Sequence, residues 1–333
     1  MTAPKIPLNL FGIPFGLAGL GEAWATAAGY GYAPEIVGEL VLLLSAATWL
    51  AVLGAYALHL ISDRAVVVRD LLDPVAAPFA SLAVITPMLL ACQGLYPHAG
   101  DVGRILTDVF LALTVLLGGW FTGQWMYGPV DLDKFHPGYF LPTVAGGLVG
   151  SAAAATVGQL RLAEVMFGLG CVCWIVLGSV IIARLLFRPM LPAALQPTHA
   201  IEVAPAAVAS LAWFQINGHQ IDVVMSFLAG YGLLMVIAQL RLLPAFLRLP
   251  FMPSTWAFTF SWSAVATMAL IWLREGEGAA YRVGQYLVLA VITLFVGGIA
   301  VRSVVAILRR QLLPHPPAAA TVERPRAERV STR

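Results

Sequence analysis

Charge is what this 333-residue sequence lacks. Only 11% of its residues are Asp, Glu, Lys or Arg, against about 25% in an ordinary soluble domain. Net charge is +2, so no basic surface points to nucleic acid. Three cysteines, Cys92, Cys171 and Cys173, all fall inside apolar blocks. An odd, buried set gives neither a disulfide framework nor a metal motif. A helix would also point Cys171 and Cys173 in different directions. The start, "MTAPKIPLNLFG", has no charged region followed by a cleavage site, so the first apolar segment is expected to stay as a helix. No HExxH, paired Asp or Ser/His constellation lies within the apolar blocks, so no catalytic residue, cofactor or metal is expected. "GLAGLG" follows no strand and is not a nucleotide loop.

Apolar residues are what the chain has. They make up 60% of it, with mean hydropathy +0.85, in blocks of the ~20 residues that cross a bilayer as helix. The expected fold is an all-α polytopic membrane protein of ten segments: 8–28, 36–61, 76–96, 102–127, 138–158, 162–187, 201–217, 221–246, 254–273 and 280–308. Short connections make neighbours antiparallel. Residues 1–313 read as one transmembrane domain, and 314–333, rich in Pro, Ala and Arg, as a disordered cytoplasmic tail. With the N-terminus inside, 15 Lys and Arg fall on the inner side and 4 on the outer. The positive-inside rule then places both termini in the cytoplasm of a cell, or inner, membrane.

The segments alternate. Even ones, such as "VGELVLLLSAATWLAVLGAYALHLI", are uniformly apolar. Odd ones are broken by Pro14 and Gly16, by Pro78 and Pro87, by "HPGYFLPTVAGG" with Pro137, Pro142 and Gly146, by Pro205 and by Pro253. The odd segments begin 53–68 residues apart, a repeat of five helical pairs in pattern rather than identity. Proline frees a carbonyl and bends a helix, which hydrocarbon tolerates only where protein or water covers the bend. Either these prolines merely bend packed helices, or five bent helices share one lumen. Their co-oriented N-termini would favour anions at the cytoplasmic mouth. With no Lys or Arg in the odd segments, hydroxyls (Thr143, Ser151, Thr259, Ser261) are left to line such a lumen, suiting rapid passage over tight capture.

Three ionisable residues stand out. Glu22 is an intramembrane acid, which suggests pairing between helices or proton coupling. Glu202 opens the seventh segment, where a helix N-terminus stabilises a carboxylate. His136 precedes Pro137 and could cap the fifth segment or sense pH at the mouth. The tryptophans Trp24, Trp125, Trp213, Trp256 and Trp272 fit interfacial or packing roles.

"LFGIPFGLAGL", "HPGYFLPTVAGG", "APAAVASLAWF", "GYGLLMVIAQLRLLP" and "WAFTFSWSA", in this order, resemble the tellurite-resistance/dicarboxylate transporter family. That family includes plant guard-cell slow anion channels, bacterial tellurite-resistance proteins and fungal malate and sulfite transporters. The likeness covers about residues 8–310. It implies ten helices as five hairpins around a central pore lined by the odd helices, and a homotrimer with one pore per protomer. It also implies a phenylalanine plug from the ninth helix, here Phe260. Many relatives have proline next; this chain has Ser261. The implied function is a gated channel or transporter for small inorganic or organic anions. The alternative is a proton-coupled carrier of C4-dicarboxylate, sulfite or tellurite-related oxyanions.

Overall fold

The computed structural model describes residues 6–128 and 130–313. Lys5 and the Arg-rich tail 314–333 lie outside the described residues. Among the described residues the chain is helical, with no strand. Eight helices are long and apolar enough to cross a membrane.

The elements in chain order are α1 (Gly12–Gly29), α2 (Glu35–Ser62), a short α3 (Val66–Leu72), α4 (Ala77–Leu95), α5 (Gly100–Tyr127), α6 (Pro137–Thr156), α7 (Leu160–Phe187), α8 (Ala204–Ile216), α9 (Val223–Phe246), α10 (Pro253–Arg274) and α11 (Ala279–Leu308). All ten apolar stretches are therefore helical, and only α3 was not anticipated. The seventh stretch starts earlier than hydropathy suggests. Pro197 and the polar Gln196, Thr198 and His199 belong to a 3₁₀ turn, Gln196–Val203, that leads into α8.

The alternation in the sequence is an alternation in burial. In α2, α5, α7, α9 and α11 only 17–28% of the apolar window is buried, whereas in α4, α6 and α10 the share is 67–83%. α1 and α8 are buried along most of their length as well. These five inner helices touch in a closed cycle: α1 with α4, α4 with α6, α6 with α8, α8 with α10, and α10 with α1. Outside them, α2 packs on α1 and α4, α5 on α4 and α6, and α7 on α6 and α8.

Every inner helix opens with a 3₁₀ turn: Leu8–Phe11, Ala77–Ser81, Pro137–Phe140, Gln196–Val203 and Pro253–Trp256. Each turn contains or directly follows a proline: Pro7, Pro78, Pro137, Pro197 and Pro253. Proline suits the first turn of a helix, where its missing N–H would have no partner anyway. A second proline follows in four of the five, Pro14, Pro87, Pro142 and Pro205, and in α4 and α6 it coincides with a disturbed helix. Pro87 takes away the donor that would serve the Ala83 carbonyl, and the indole of Trp49 on α2 donates to that carbonyl instead, at 3.0 Å. Beyond Pro87 the helix widens into a π turn, Leu90–Leu95, and Pro142 sits in another, Leu141–Ala145.

Glycine lets these bent helices approach. A Cβ on Gly147 of α6 would lie 2.5 Å from the Gly170 backbone N of α7. A Cβ on Gly16 of α1 would collide with the Thr259 side chain of α10, and one on Gly146 would lie 2.8 Å from Thr114 of α5.

Candidate functional site: a five-helix cavity

An internal cavity of about 50 Å³ lies among the N-terminal halves of the inner helices. All five contribute to its wall: Asn9 and Phe15 from the start of the chain, Phe79 and Leu82 from α4, Phe140 to Leu148 from α6, Ile201 and Pro205 around α8, and Ser254, Phe260 and Ser261 from α10. No residue of α2, α5, α7, α9 or α11 lines it. The N-terminal ends of five helices thus converge on one space, which fixes their common direction.

Phe260 is 6% exposed and stacks on Phe15, with ring centroids 3.7 Å apart and planes 17° from parallel. Gly19 makes room for the ring, since a Cβ there would come within 2.9 Å of Phe260 Cδ2. The pair therefore forms one aromatic block between α1 and α10 at the cavity wall. Phe15 was not foreseen; a lone phenylalanine in "GIPFG" carries no signal until its partner is located.

Polar groups in this wall are few. Asn9 Oδ1 and Ser254 Oγ are buried without a hydrogen-bond partner. Both sit in the opening turns of their helices, where sequence reading treats a small polar residue as a cap. Ser261 also lines the cavity, and its hydroxyl donates to the Ala257 carbonyl at 3.1 Å.

The family model for the voltage-dependent anion channel, SLAC1, matches residues 5–304. The chain belongs to the voltage-dependent anion channel family. The tellurite resistance protein TehA homolog of Haemophilus influenzae is 28% identical over 271 residues, 81% of this chain and 82% of that protein. The S-type anion channel SLAH2 of Arabidopsis thaliana is 24% identical, over 93% of this chain and 61% of its own length. The guard cell S-type anion channel SLAC1 of Arabidopsis thaliana is 25% identical, over 79% of this chain and 49% of its own length. The chain thus spans only about half to three-fifths of these plant relatives.

In this anion-channel family member the other residues singled out by sequence fall into different roles. Pro205 lines the cavity. Pro14, Gly16, Pro87, Pro142 and Gly146 shape the inner helices and their contacts; the Pro14 carbonyl, for example, accepts from the Ser45 hydroxyl at 2.7 Å. Thr259 is not part of the cavity wall; its Oγ1 donates to Trp256 O at 2.7 Å. Ser151 is likewise turned outward and donates to Ala163 O of α7 at 2.8 Å. Thr143 Oγ1 is buried without a partner, in the π turn of α6 and outside this cavity's wall. Trp256 is not interfacial: it is 2% exposed, and its indole donates to Ser303 of α11 at 2.8 Å.

Among the ionisable residues, Glu22 lies on α1 near Gln93 in the π turn of α4. Glu202 forms no cap. It precedes α8 within the lead-in turn, α8 has no side-chain cap, and Glu202 Oε1 is buried without a partner. His136 does cap: its Nδ1 accepts from Gly138 N at 3.1 Å, and its Nε2 faces Val75 O at 3.2 Å. That pairing requires Nε2 to carry the proton of a neutral ring. Burial pushes its pKa down from 6.5 to about 4, aided by the Arg184 charge and opposed by the Val75 carbonyl.

A pH prediction follows. Between these two values the unfolded chain binds the proton and the native ring does not. Stability from this residue is therefore complete above about pH 6.5 and declines as pH falls toward about 4. Replacing His136 with Ala is expected to flatten that decline and to cost about 0.5–2 kcal/mol of cap at neutral pH. The thermal midpoint of the purified protein, followed from neutral to acidic pH, checks both; parallel curves for the two proteins would refute the assignment.

Arg184, near the end of α7, was counted in the sequence only as one inner-side charge. It is 2% exposed, its Nη2 donates to Asp133 O at 3.0 Å, and its Nε and Nη1 have no partner. Its charge reaches both His136 and His199, at the starts of α6 and α8.

Proposed function

We propose that the protein is a gated anion pathway, in which the five inner helices enclose a pore and Phe260 plugs it. The observation that carries this reading is a cavity walled by all five inner helices and no outer one, with the Phe260–Phe15 stack at its edge. In this reading all ten apolar helices of residues 1–313 span the membrane as five hairpins, and both termini face the cytoplasm. The chain assembles as a homotrimer in the cell (inner) membrane, as the family resemblance implies.

The physics supports passage over capture. Five helix N-termini point their partial positive charge toward the cavity. Asn9 and Ser254 offer polar atoms with no internal partner. No Lys or Arg stands in the wall, and Arg184 supplies a fixed cation beside the openings of α6 and α8. A small anion is attracted, weakly held and released.

One observation favours the second reading, a proton-coupled carrier. Glu202 is a buried carboxylate with an unpartnered oxygen, which suits a group that takes up and gives back a proton. Reconstituted protein discriminates the two. Currents carried by chloride or nitrate at fixed voltage, indifferent to an imposed pH gradient, are expected. Uptake of a dicarboxylate that follows the pH gradient and vanishes in Glu202→Gln would replace the channel by the carrier.

A further inference from the structure

The layer of outer helices has a break. α11 packs on α10 and α1, and α9 packs on α8 and the turn before it. Between α9 and α11 a groove of about 660 Å³ opens over α10. Its floor is the outer face of α10: Phe258, Trp262, Val265, Ala266 and Ala269. Its sides are apolar residues of α9 and α11, from Leu240 to Leu247 and from Leu287 to Ile299. Arg302 stands at one end, its guanidinium 4.7 Å above the Phe251 ring, with no carboxylate partner among the described residues.

Length and charge select the occupant. Leu287 to Arg302 on α11 is 16 residues, a rise of about 22 Å at 1.5 Å per residue. That exceeds the ~15 Å of hydrocarbon in one leaflet. An extended acyl chain of one leaflet therefore lies within the groove's length. Arg302 is a donor for a phosphate at the groove's end; exposed Arg248 sits between the lining residues Leu247 and Leu249, and exposed Arg309 and Arg310 follow Arg302 just past the end of α11.

We propose that this groove binds an anionic phospholipid of the inner leaflet, one acyl chain lying against α10 and the phosphate held by Arg302. The leaflet, though not the site, rests on the orientation given under the proposed function. Phe260 and Phe258 belong to the same helical turn of α10, one beside the cavity and the other in the groove. A lipid in the groove therefore braces, from behind, the helix that carries the plug.

The test does not require conduction. Protein purified in mild detergent is exposed to phosphatidylglycerol or phosphatidylcholine, and retained lipid is counted by native mass spectrometry. The expected result is preferential retention of phosphatidylglycerol and a rise in thermal midpoint with that lipid alone, as for any ligand of the native state. Arg302→Gln is expected to weaken retention about tenfold, the loss of one charge-assisted contact. Val291→Trp, at a side-chain position that is 64% exposed, fills the groove and is expected to remove retention of both lipids. Equal retention of the two lipids by the unmodified protein, or unchanged retention in both variants, overturns the proposal. So does a disulfide between protomers formed by Val291→Cys, which would show a second copy on this face. A protein that binds the lipid and carries no anion keeps this inference and sinks the channel reading.

Discussion

Phe260→Ala is expected to raise anion current through reconstituted protein about tenfold or more. The ring is buried at the edge of the five-helix cavity and stacked on Phe15. In the proposed pathway an anion passing that level sheds water in an apolar neck with no side-chain cation to replace it. Deleting the ring removes both the steric block and the dry contact surface. The companion change Phe15→Ala is expected to act in the same direction but more weakly, because Phe260 loses its stacking partner but keeps its place. Gly19→Ala works the opposite way round, by pressing a methyl group onto Phe260 Cδ2, 2.9 Å from where the new Cβ must sit; it is expected to change current without deleting the ring. Bilayer recordings in symmetric chloride, normalised to protein inserted, measure all three. A Phe260→Ala protein that inserts normally and conducts no more than the parent would remove the plug from the proposal.

The second large effect is on folding. Gly147→Ala places a methyl group 2.5 Å from the Gly170 backbone N and 2.6 Å from its Cα. Neither atom belongs to a side chain that can rotate away, so α6 and α7 must separate. Over-packing of this kind costs about 1–3 kcal/mol, and in a membrane close approach of backbones is itself the source of association. The variant is expected to show a clearly lower thermal midpoint and a smaller monodisperse fraction on size exclusion. Gly119→Ala and Gly297→Ala, where an added Cβ meets nothing within 4 Å, are the controls and are expected to match the parent. Equal midpoints for Gly147→Ala and these controls would mean that the α6–α7 contact is looser than described.

Some of this was legible in the sequence because the bilayer imposes it. A run of apolar residues must be about 20 long to cross, and the ten runs end within a few residues of the observed helices. The alternation of broken and unbroken runs also survives for proline: Pro14, Pro78, Pro87, Pro137, Pro142, Pro205 and Pro253 lie in the inner helices and their opening turns, against Pro244 in outer α9, as expected where protein, not lipid, surrounds the backbone. The particular use of each residue was not legible. Pro87 announces a free carbonyl, but nothing in the sequence says that Trp49, 34 residues away from Ala83, will bond to it. Thr259 and Ser261 look alike as hydroxyls, yet Thr259 packs against Gly16 and only Ser261 reaches the cavity wall. Glu202 reads as a helix cap, but the 3₁₀ turn that contains it moves the helix start past it. Asn9 and Ser254 carry no distinguishing pattern and gain interest only from being buried without partners. The choice of Phe260 over its neighbour Phe258 came from family resemblance; spacing alone does not separate them.

The nearly hydrocarbon character of the cavity wall bears on which ions a conduit here would prefer. Where a fixed cation recognises an ion, compact ions with concentrated charge win, because attraction grows as the charges draw together. Where the wall offers little in return, the ranking is set by how readily each ion gives up its hydration. Nitrate and iodide would then outrun chloride, and fluoride would trail, an order written by water rather than by any single side chain.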